Sequence, residues 1–290
     1  MPDKTSTAEN SAVAIHIEPV DVSLDRATVS RHKSLGESVQ SVETDCAYTV
    51  AHTLAGRRVV RFERHLKRLF ESARHLGYEP GIGDVSIRRL LCDALERYGW
   101  ERSRFRITLL REGGLIIAIE PYSGVPLELR SRGVDCALAP HAARDAPDTK
   151  TTSWMAARSS LSHRRVYEVL LCDEGGFVLE GSSSNVFFVA GESQTPVLRT
   201  AEKGILKGVT RAIVLELAET KARDIDVQRA PVHISELEHT GEAFICSSTR
   251  GVVPIRRIDD RIYTAPGACT SRISQLYDEW VEAHAEPLLP

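Results

Sequence analysis

The sequence predicts an α+β protein in two unlike halves. Short runs rich in β-branched and aromatic residues recur along the whole chain, while two helical patterns with apolar residues at three- and four-residue spacing sit together in the first third. A Pro/Gly-rich stretch, Glu120-Pro121-Tyr122-Ser123-Gly124-Val125-Pro126, follows that first group and marks the boundary. The expected organisation is a tail over residues 1–15, a small N-terminal domain over 16–126 and a larger C-terminal domain over 127–290.

Residues 1–11 are polar, without the apolar core of a secretory signal or the Arg-rich pattern of a transit peptide, so they read as a frayed tail of a cytoplasmic protein. Ala-Tyr-Thr-Val-Ala-His-Thr-Leu over 47–54 predicts a strand, and Ala55-Gly56 turns it back into Val59-Val60-Arg61-Phe62 as a hairpin. From about Glu63 the apolar positions Leu66, Leu69, Phe70, Ala73 and Leu76 share one helical face, with Gly77 as the stop; Ile87, Leu90, Leu91, Ala94 and Leu95 repeat the spacing over 86–98. Strands over 104–110 and 115–119 flank Arg111-Glu112-Gly113-Gly114. In the second half a strand is expected over 134–139, a polar turn-forming stretch over 141–148 and a helix over 150–165 with a loosely marked buried side. Strands over 167–172, 177–180, 185–189 and 197–200 follow, separated by Asp173-Glu174-Gly175-Gly176 and Gly191-Glu192-Ser193. A helix over 209–219, strands near 226–227 and 243–246 and an amphipathic helix over 271–283 complete the pattern.

Composition narrows the function classes. A chain of 290 residues with 42% hydrophobic and 27% charged content is ordinary for a soluble enzyme, and a net charge of −3 gives no broad attraction to nucleic acid or anionic membrane. The runs Arg57-Arg58, His163-Arg164-Arg165 and Arg256-Arg257 read as solvated surface, and no apolar run is long enough to span a membrane. Cys46, Cys92, Cys136, Cys172, Cys246 and Cys269 lack paired spacing, which points to reduced thiols and no metal cluster.

The chemistry concentrates in Glu180-Gly181-Ser182-Ser183-Ser184-Asn185-Val186-Phe187 and Gly204-Ile205-Leu206-Lys207-Gly208-Val209-Thr210-Arg211. A carboxylate at a strand end can keep a ring nitrogen protonated, and the free N–H groups of a Gly-led helix start can take a phosphate. Those two capacities suit opposite ends of pyridoxal phosphate. Together with Arg64-His65-Leu66-Lys67-Arg68-Leu69-Phe70-Glu71-Ser72-Ala73, and with Glu242-Ala-Phe-Ile-Cys-Ser-Ser-Thr followed by Val253-Pro254, these motifs closely resemble the class IV aminotransferases over roughly residues 47–259. That family groups fold-type IV pyridoxal-phosphate enzymes such as D-amino-acid and branched-chain aminotransferases, with aminodeoxychorismate lyase as a lyase cousin.

The resemblance implies a fold-type IV protein with a small N-terminal α/β domain and a larger C-terminal β-barrel-like domain with helices, assembled as a homodimer. It implies that Lys150 bonds covalently to the cofactor aldehyde and moves protons, that Glu180 partners the pyridine nitrogen, and that Leu206 packs on the ring face. Arg68, Val209, Thr210, Ser247 and Ser248 form the implied phosphate cup, and Tyr48 lines the substrate pocket. By residue type alone, Lys150 also reads as a solvated loop lysine, Glu180 as an exposed strand-end carboxylate and Arg68 as a surface helix charge. Arg106 either turns its guanidinium toward a substrate carboxylate or lies on a solvated strand face.

The chain departs from the family in several places. The interval from Lys150 to Glu180 is a few residues short, Glu43-Thr44-Asp45-Cys46 stands where a Gly-Asp-Gly turn is usual, and Glu112-Gly113-Gly114 makes a tight hairpin where D-specific members carry a long loop with a carboxylate-binding Arg and His. The expected activity is amino-group transfer between an amino acid or amine and a keto acid. A pyruvate-releasing lyase, suggested by Tyr48-Thr49-Val50-Ala51-His52-Thr53, and a non-catalytic member of the fold are the alternatives.

Overall fold

A computed structural model of the chain describes residues 11–18, 27–40, 42, 45–161, 165–190 and 195–289. Two compact units partition it: one holds Met1–Ser123, Thr149–Met155 and His284–Pro290, the other Gly124–Asp148 and Ala156–Ala283.

The first unit is built on five antiparallel strands. β1 (Ala12–Ile17), β2 (Thr28–His32) and β3 (Tyr48–His52) precede β4 (Arg58–Val60), helices α1 (Phe62–His75) and α2 (Asp84–Tyr98), and the hairpin of β5 (Ser103–Leu109) and β6 (Leu115–Pro121). The sheet order is β2-β1-β6-β5-β3. One face of the sheet, with Val13, Ile15, Phe105, Ile107, Ile117 and Ile119, packs on Leu66, Leu69, Ile87, Leu91 and Ala94 of the helices. The other face carries a smaller cluster of Ala12, Ala14, Leu35, Val39, Ile116 and Ala118. Having both faces covered explains the unbroken apolar run of β6, which an open sheet would alternate with polar residues.

Two expectations fail here. The tail expected over 1–15 gives way to β1 at Ala12, because Ala-Val-Ala-Ile-His-Ile buries five of its six residues between β2 and β6. Residues 1–10 lie outside the described residues. The hairpin expected after residue 54 does not form: Gly56 (φ 74°) and Arg57 (φ 56°) are both left-handed, so the ladder stops after one bridge, Leu54↔Arg58. β3 instead pairs with β5, Tyr48 opposite Thr108.

The second unit contains α3 (Leu127–Arg132), β7 (Val134–Ala139), β8 (Glu168–Cys172), β9 (Phe177–Gly181), β10 (Ser184–Ala190), β11 (Val197–Arg199), α5 (Val209–Thr220), β12 (Asp226–Gln228), β13 (Val232–His233), β14 (Thr240–Ser247), β15 (Gly251–Ile258), β16 (Arg261–Ile262) and α6 (Ala268–His284); α4 (Thr152–Ser159) carries the chain between the units. The sheet runs β12-β11-β10-β14-β15-β7-β8-β9-β13, and β9 also pairs with β10. Strands β10, β14, β15, β7, β8 and β9 therefore close on themselves as a barrel, with β15–β7 and β7–β8 parallel. Val134, Cys136, Leu138, Leu170, Val186, Phe188, Ile245, Val253 and Ile255 fill it. This is an α+β fold with a barrel-like sheet, as expected. After α6 the chain ends in β17 (Ala285–Pro287), which pairs with β4 in the first unit.

β15 was not expected because Pro254 interrupts its apolar pattern; Pro254 precedes the first residue that pairs with β7, Ile255, so its missing N–H leaves no gap in that ladder. The helix expected over 150–165 is confined to Thr152–Ser159, with none of its residues buried. Residues 162–164, and with them His163-Arg164, lie outside the described residues, as does the Gly191-Glu192-Ser193 turn. Among the described residues no helix is long and apolar enough to cross a membrane, and no group of His, Cys, Asp and Glu could hold a metal ion. All six cysteines are free.

Candidate functional site

In the first unit Lys150 is held by its backbone on two sides. Its N–H donates to Ser72 Oγ of α1 at 3.1 Å, and its carbonyl accepts from the Tyr48 N–H at 3.0 Å. Asp45 completes the clamp, accepting from the Ser153 N–H at 2.8 Å and from the hydroxyls of Thr152 and Ser153 at 3.0 and 2.8 Å, so its carboxylate serves the start of α4. Tyr78 braces the entry to β3: its hydroxyl accepts from the Ala47 N–H at 2.8 Å and donates to the Leu109 carbonyl at 2.9 Å, and burial lifts its pKa to about 12.

This scaffold brings three of the expected side chains together. Lys150 Nζ lies 4.8 Å from the Tyr48 ring centroid and the Arg106 guanidinium carbon 3.8 Å from the same centroid. Arg106 is 2% exposed, which excludes the solvated-strand reading, and it donates to Thr108 Oγ1 at 2.9 Å and to Met155 Sδ. Arg68 sits on α1 three residues after His65, a buried histidine whose Nδ1 is 3.0 Å from Thr49 Oγ1. Burial, reinforced by the nearby charges of Arg68, Lys150 and His52, holds the His65 pKa well below its ordinary value. A neutral imidazole thus occupies the middle of a cationic neighbourhood.

In the second unit Glu180 ends β9 almost fully buried. Its Oε2 accepts from the Leu206 N–H at 3.0 Å, and its Oε1 lies 3.5 Å from Arg144 Nη1, both side chains being 5% exposed. Asn185, the cross-strand partner of Glu180, donates from Nδ2 to the Leu206 carbonyl at 2.9 Å. The 205–208 loop is therefore gripped from both sides of one residue. Gly208 follows because a Cβ there would stand 2.2 Å from Asn185 Oδ1. It begins α5 with no side-chain cap, leaving the first-turn N–H groups around Val209 and Thr210 without intrahelical acceptors. Thr210 itself is 2% exposed, with its hydroxyl 3.5 Å from that of Tyr277. Ser247 and Ser248 occupy the half-buried turn from β14 into β15.

Sequence reasoning missed Arg144, Glu168 and Arg250. Arg144 stood in a stretch read only as a turn. Glu168, 3% exposed, accepts from the hydroxyls of Ser182, Ser183 and Ser184 at 2.6, 2.7 and 2.9 Å and from Arg250 Nη2 at 3.1 Å. Burial pushes its pKa up, but Arg250 and the three hydroxyls outweigh that and hold it below the ordinary carboxylate value. The serine triplet by itself carries no signal for its acceptor, which lies 14 to 16 residues earlier in the chain. Arg211, which closes the second motif, bonds the Ala201 carbonyl at 2.7 Å and Glu202 at 2.6 Å and so braces the approach to the loop.

The family model for class IV amino-transferases matches residues 48–258. The chain belongs to the class IV aminotransferases. A probable branched-chain-amino-acid aminotransferase of Thermotoga maritima is 37% identical over a stretch covering 40% of this chain and 41% of that protein. A D-alanine aminotransferase of Listeria innocua is 31% identical over 43% of this chain and 42% of the relative. The chain thus spans about two-fifths of the length of these curated relatives. The crystal structure of the branched-chain aminotransferase of Thermoproteus uzoniensis with norvaline superposes with a TM-score of 0.73 at 21% identity, covering 89% of this chain and 93% of that one, a likeness of fold.

Class IV aminotransferases are pyridoxal-phosphate enzymes, and the second unit of this member fits the cofactor. A buried carboxylate bonded to residue 206 and an uncapped helix start at 208 are two residues apart, hence within about 10 Å. That is the span of a pyridine ring with a phosphate arm.

Proposed function

We propose that this class IV aminotransferase moves an amino group from an amino acid to a keto acid with pyridoxal phosphate as cofactor. The observation that carries the reading is the Lys150 amine, fixed by its own backbone and set over the Tyr48 ring beside a buried guanidinium.

Bound pyridoxal phosphate supplies an electron sink for the pair left when the substrate Cα loses its proton. Lys150 Nζ is the amine that would hold the cofactor between turnovers and, with substrate bound, would take the Cα proton of the amino donor and give it back. Burial and the charges of Arg68 and Lys150 near His65 hold its imidazole pKa well below the ordinary value, and Arg106 shares the Tyr48 ring with Lys150. Glu180 would face the ring nitrogen, its carboxylate aimed by Arg144 and the Leu206 N–H. Leu206 covers the ring face. Within the second unit, the α5 start at Val209 and Thr210 and the hydroxyls of Ser247 and Ser248 would hold the phosphate. Arg106 receives the substrate carboxylate and Tyr48 walls the pocket.

The proposed donors are L-amino acids with aliphatic side chains. Support comes from the names of the relatives and from the β5–β6 turn, where Leu110 and Gly114 close a tight hairpin and Arg111 is committed to the carbonyls of Asp45 and Leu76 at 3.2 and 3.1 Å. Nothing observed favours the lyase or the non-catalytic alternative. A second copy of this chain is the proposed partner. A panel of L- and D-amino acids against the cofactor-loaded protein, read by cofactor absorbance and by keto-acid formation, tests the reading: faster turnover of L-valine or L-leucine is expected, whereas a D-alanine preference overturns the donor class. Pyruvate release without a keto acceptor would overturn transamination.

A further inference from the structure

Arg250 has no place in the reading above, yet it joins two loops of the site. Its Nε donates to Ser247 Oγ at 2.9 Å, while Nη2 donates to Ser183 Oγ at 2.7 Å, to the Ser183 carbonyl at 2.8 Å and to Glu168 Oε2 at 3.1 Å. The turn after β14 is thereby fastened to the turn after Glu180, and the Arg250 side chain is 16% exposed. Glu168 is the anchor, buried at the meeting point of three hydroxyls and one guanidinium. The turn is equally tight in its backbone, the Arg250 N–H donating to the Ser247 carbonyl at 3.0 Å.

A hydroxyl that accepts from a guanidinium has its lone pair occupied on that side, so its own hydrogen points away. A charge-assisted donor also polarises the O–H, making it a stronger donor in turn. We infer that Arg250 is a positioning residue for cofactor binding: it orients the Ser247 hydroxyl so that its hydrogen faces the phosphate, with Glu168 and the three-serine turn holding the guanidinium in place. The inference rests on the assignment of Ser247 to the phosphate cup. Arg250 acts through Ser247 and touches no reacting atom.

The test is a double-mutant cycle read by the dissociation constant of pyridoxal phosphate, measured by fluorescence titration of the full-length apoprotein, with the phosphorus NMR shift of the bound cofactor as a second readout. Arg250→Gln and Ser247→Ala are each expected to weaken binding about 10-fold, and the double variant no more than Ser247→Ala alone. Arg250→Lys keeps the charge beside Glu168 but loses the planar fork; it is expected to melt like the parent and still bind weakly, and it carries the test if Arg250→Gln fails to fold. Additive losses in the double variant, or parent-like binding by Arg250→Lys, overturn the inference while leaving the phosphate cup standing. Unchanged affinity in Ser247→Ala overturns both the inference and the assignment of Ser247.

Discussion

The candidate site residues of the two units sit in different charge environments. In the first, cations gather around an aromatic ring: Lys150 and Arg106 share Tyr48, and a buried imidazole, His65, is kept neutral by burial and by its positive neighbours. In the second, two buried carboxylates each lie beside an arginine, Glu180 by Arg144 with a hydrogen bond from the Leu206 N–H, Glu168 by Arg250 with hydrogen bonds from three serines. The first arrangement disfavours a proton on the imidazole. The second holds the Glu168 carboxyl below its ordinary value against the upward push of burial.

That contrast breaks most severely at Lys150. Lys150→Ala is expected to cut kcat by at least about 10³-fold and to abolish the label that borohydride reduction fixes on residue 150, detected by peptide mass spectrometry. Next comes Glu180→Gln, which leaves Arg144 facing a neutral amide. A fall of about 10²-fold in kcat is expected, with a changed absorbance of the bound cofactor, and a parent-like spectrum would remove Glu180 from the ring nitrogen. Arg106→Leu sharpens the comparison on the substrate side: KM for amino and keto acids is expected to rise about 10- to 100-fold while the cofactor dissociation constant stays within about twofold.

The smallest effect is a pH dependence of stability. His65 has a folded pKa below its unfolded value near 6.5, so the unfolded chain binds the proton more readily. Its contribution to stability is fully present above pH 6.5 and is lost as pH falls from there toward the lowered folded value, with a slope of at most about 1.4 kcal/mol per pH unit. Urea unfolding midpoints measured from pH 7.5 down to about 5 are expected to show this slope in the parent and a shallower one in His65→Gln. Equal slopes would mean that His65 is not the group responsible.

Much of this molecule is legible in local pattern. α1 and α2 follow from three- and four-residue apolar spacing, β7 from a short run bounded by Gly133 and Pro140, and Glu180 and Gly208 from motifs whose backbone requirements are strict. Arg106 was undecidable in sequence, since alternation along β5 says which residues share a face but not what covers that face; Met155 and Tyr48 cover it, from 49 and 58 residues away. In the failed hairpin after β3, Ala55-Gly56 reads as a turn, but the left-handed Gly56 and Arg57 end the ladder after one bridge, and β3 pairs with β5.

The sequence by itself determined the α+β pattern, the family and the residue types available for chemistry, because periodicity and turn chemistry act over a few residues at a time. Only the tertiary structure decided that Arg144 meets Glu180, that Arg250 ties Ser247 to Ser183 and Glu168, and that the six central strands close into a barrel. Those pairings join residues tens of positions apart, and what selects them is the cost of leaving a buried charge or an open ladder unmatched, a cost that exists only once the chain has folded around them.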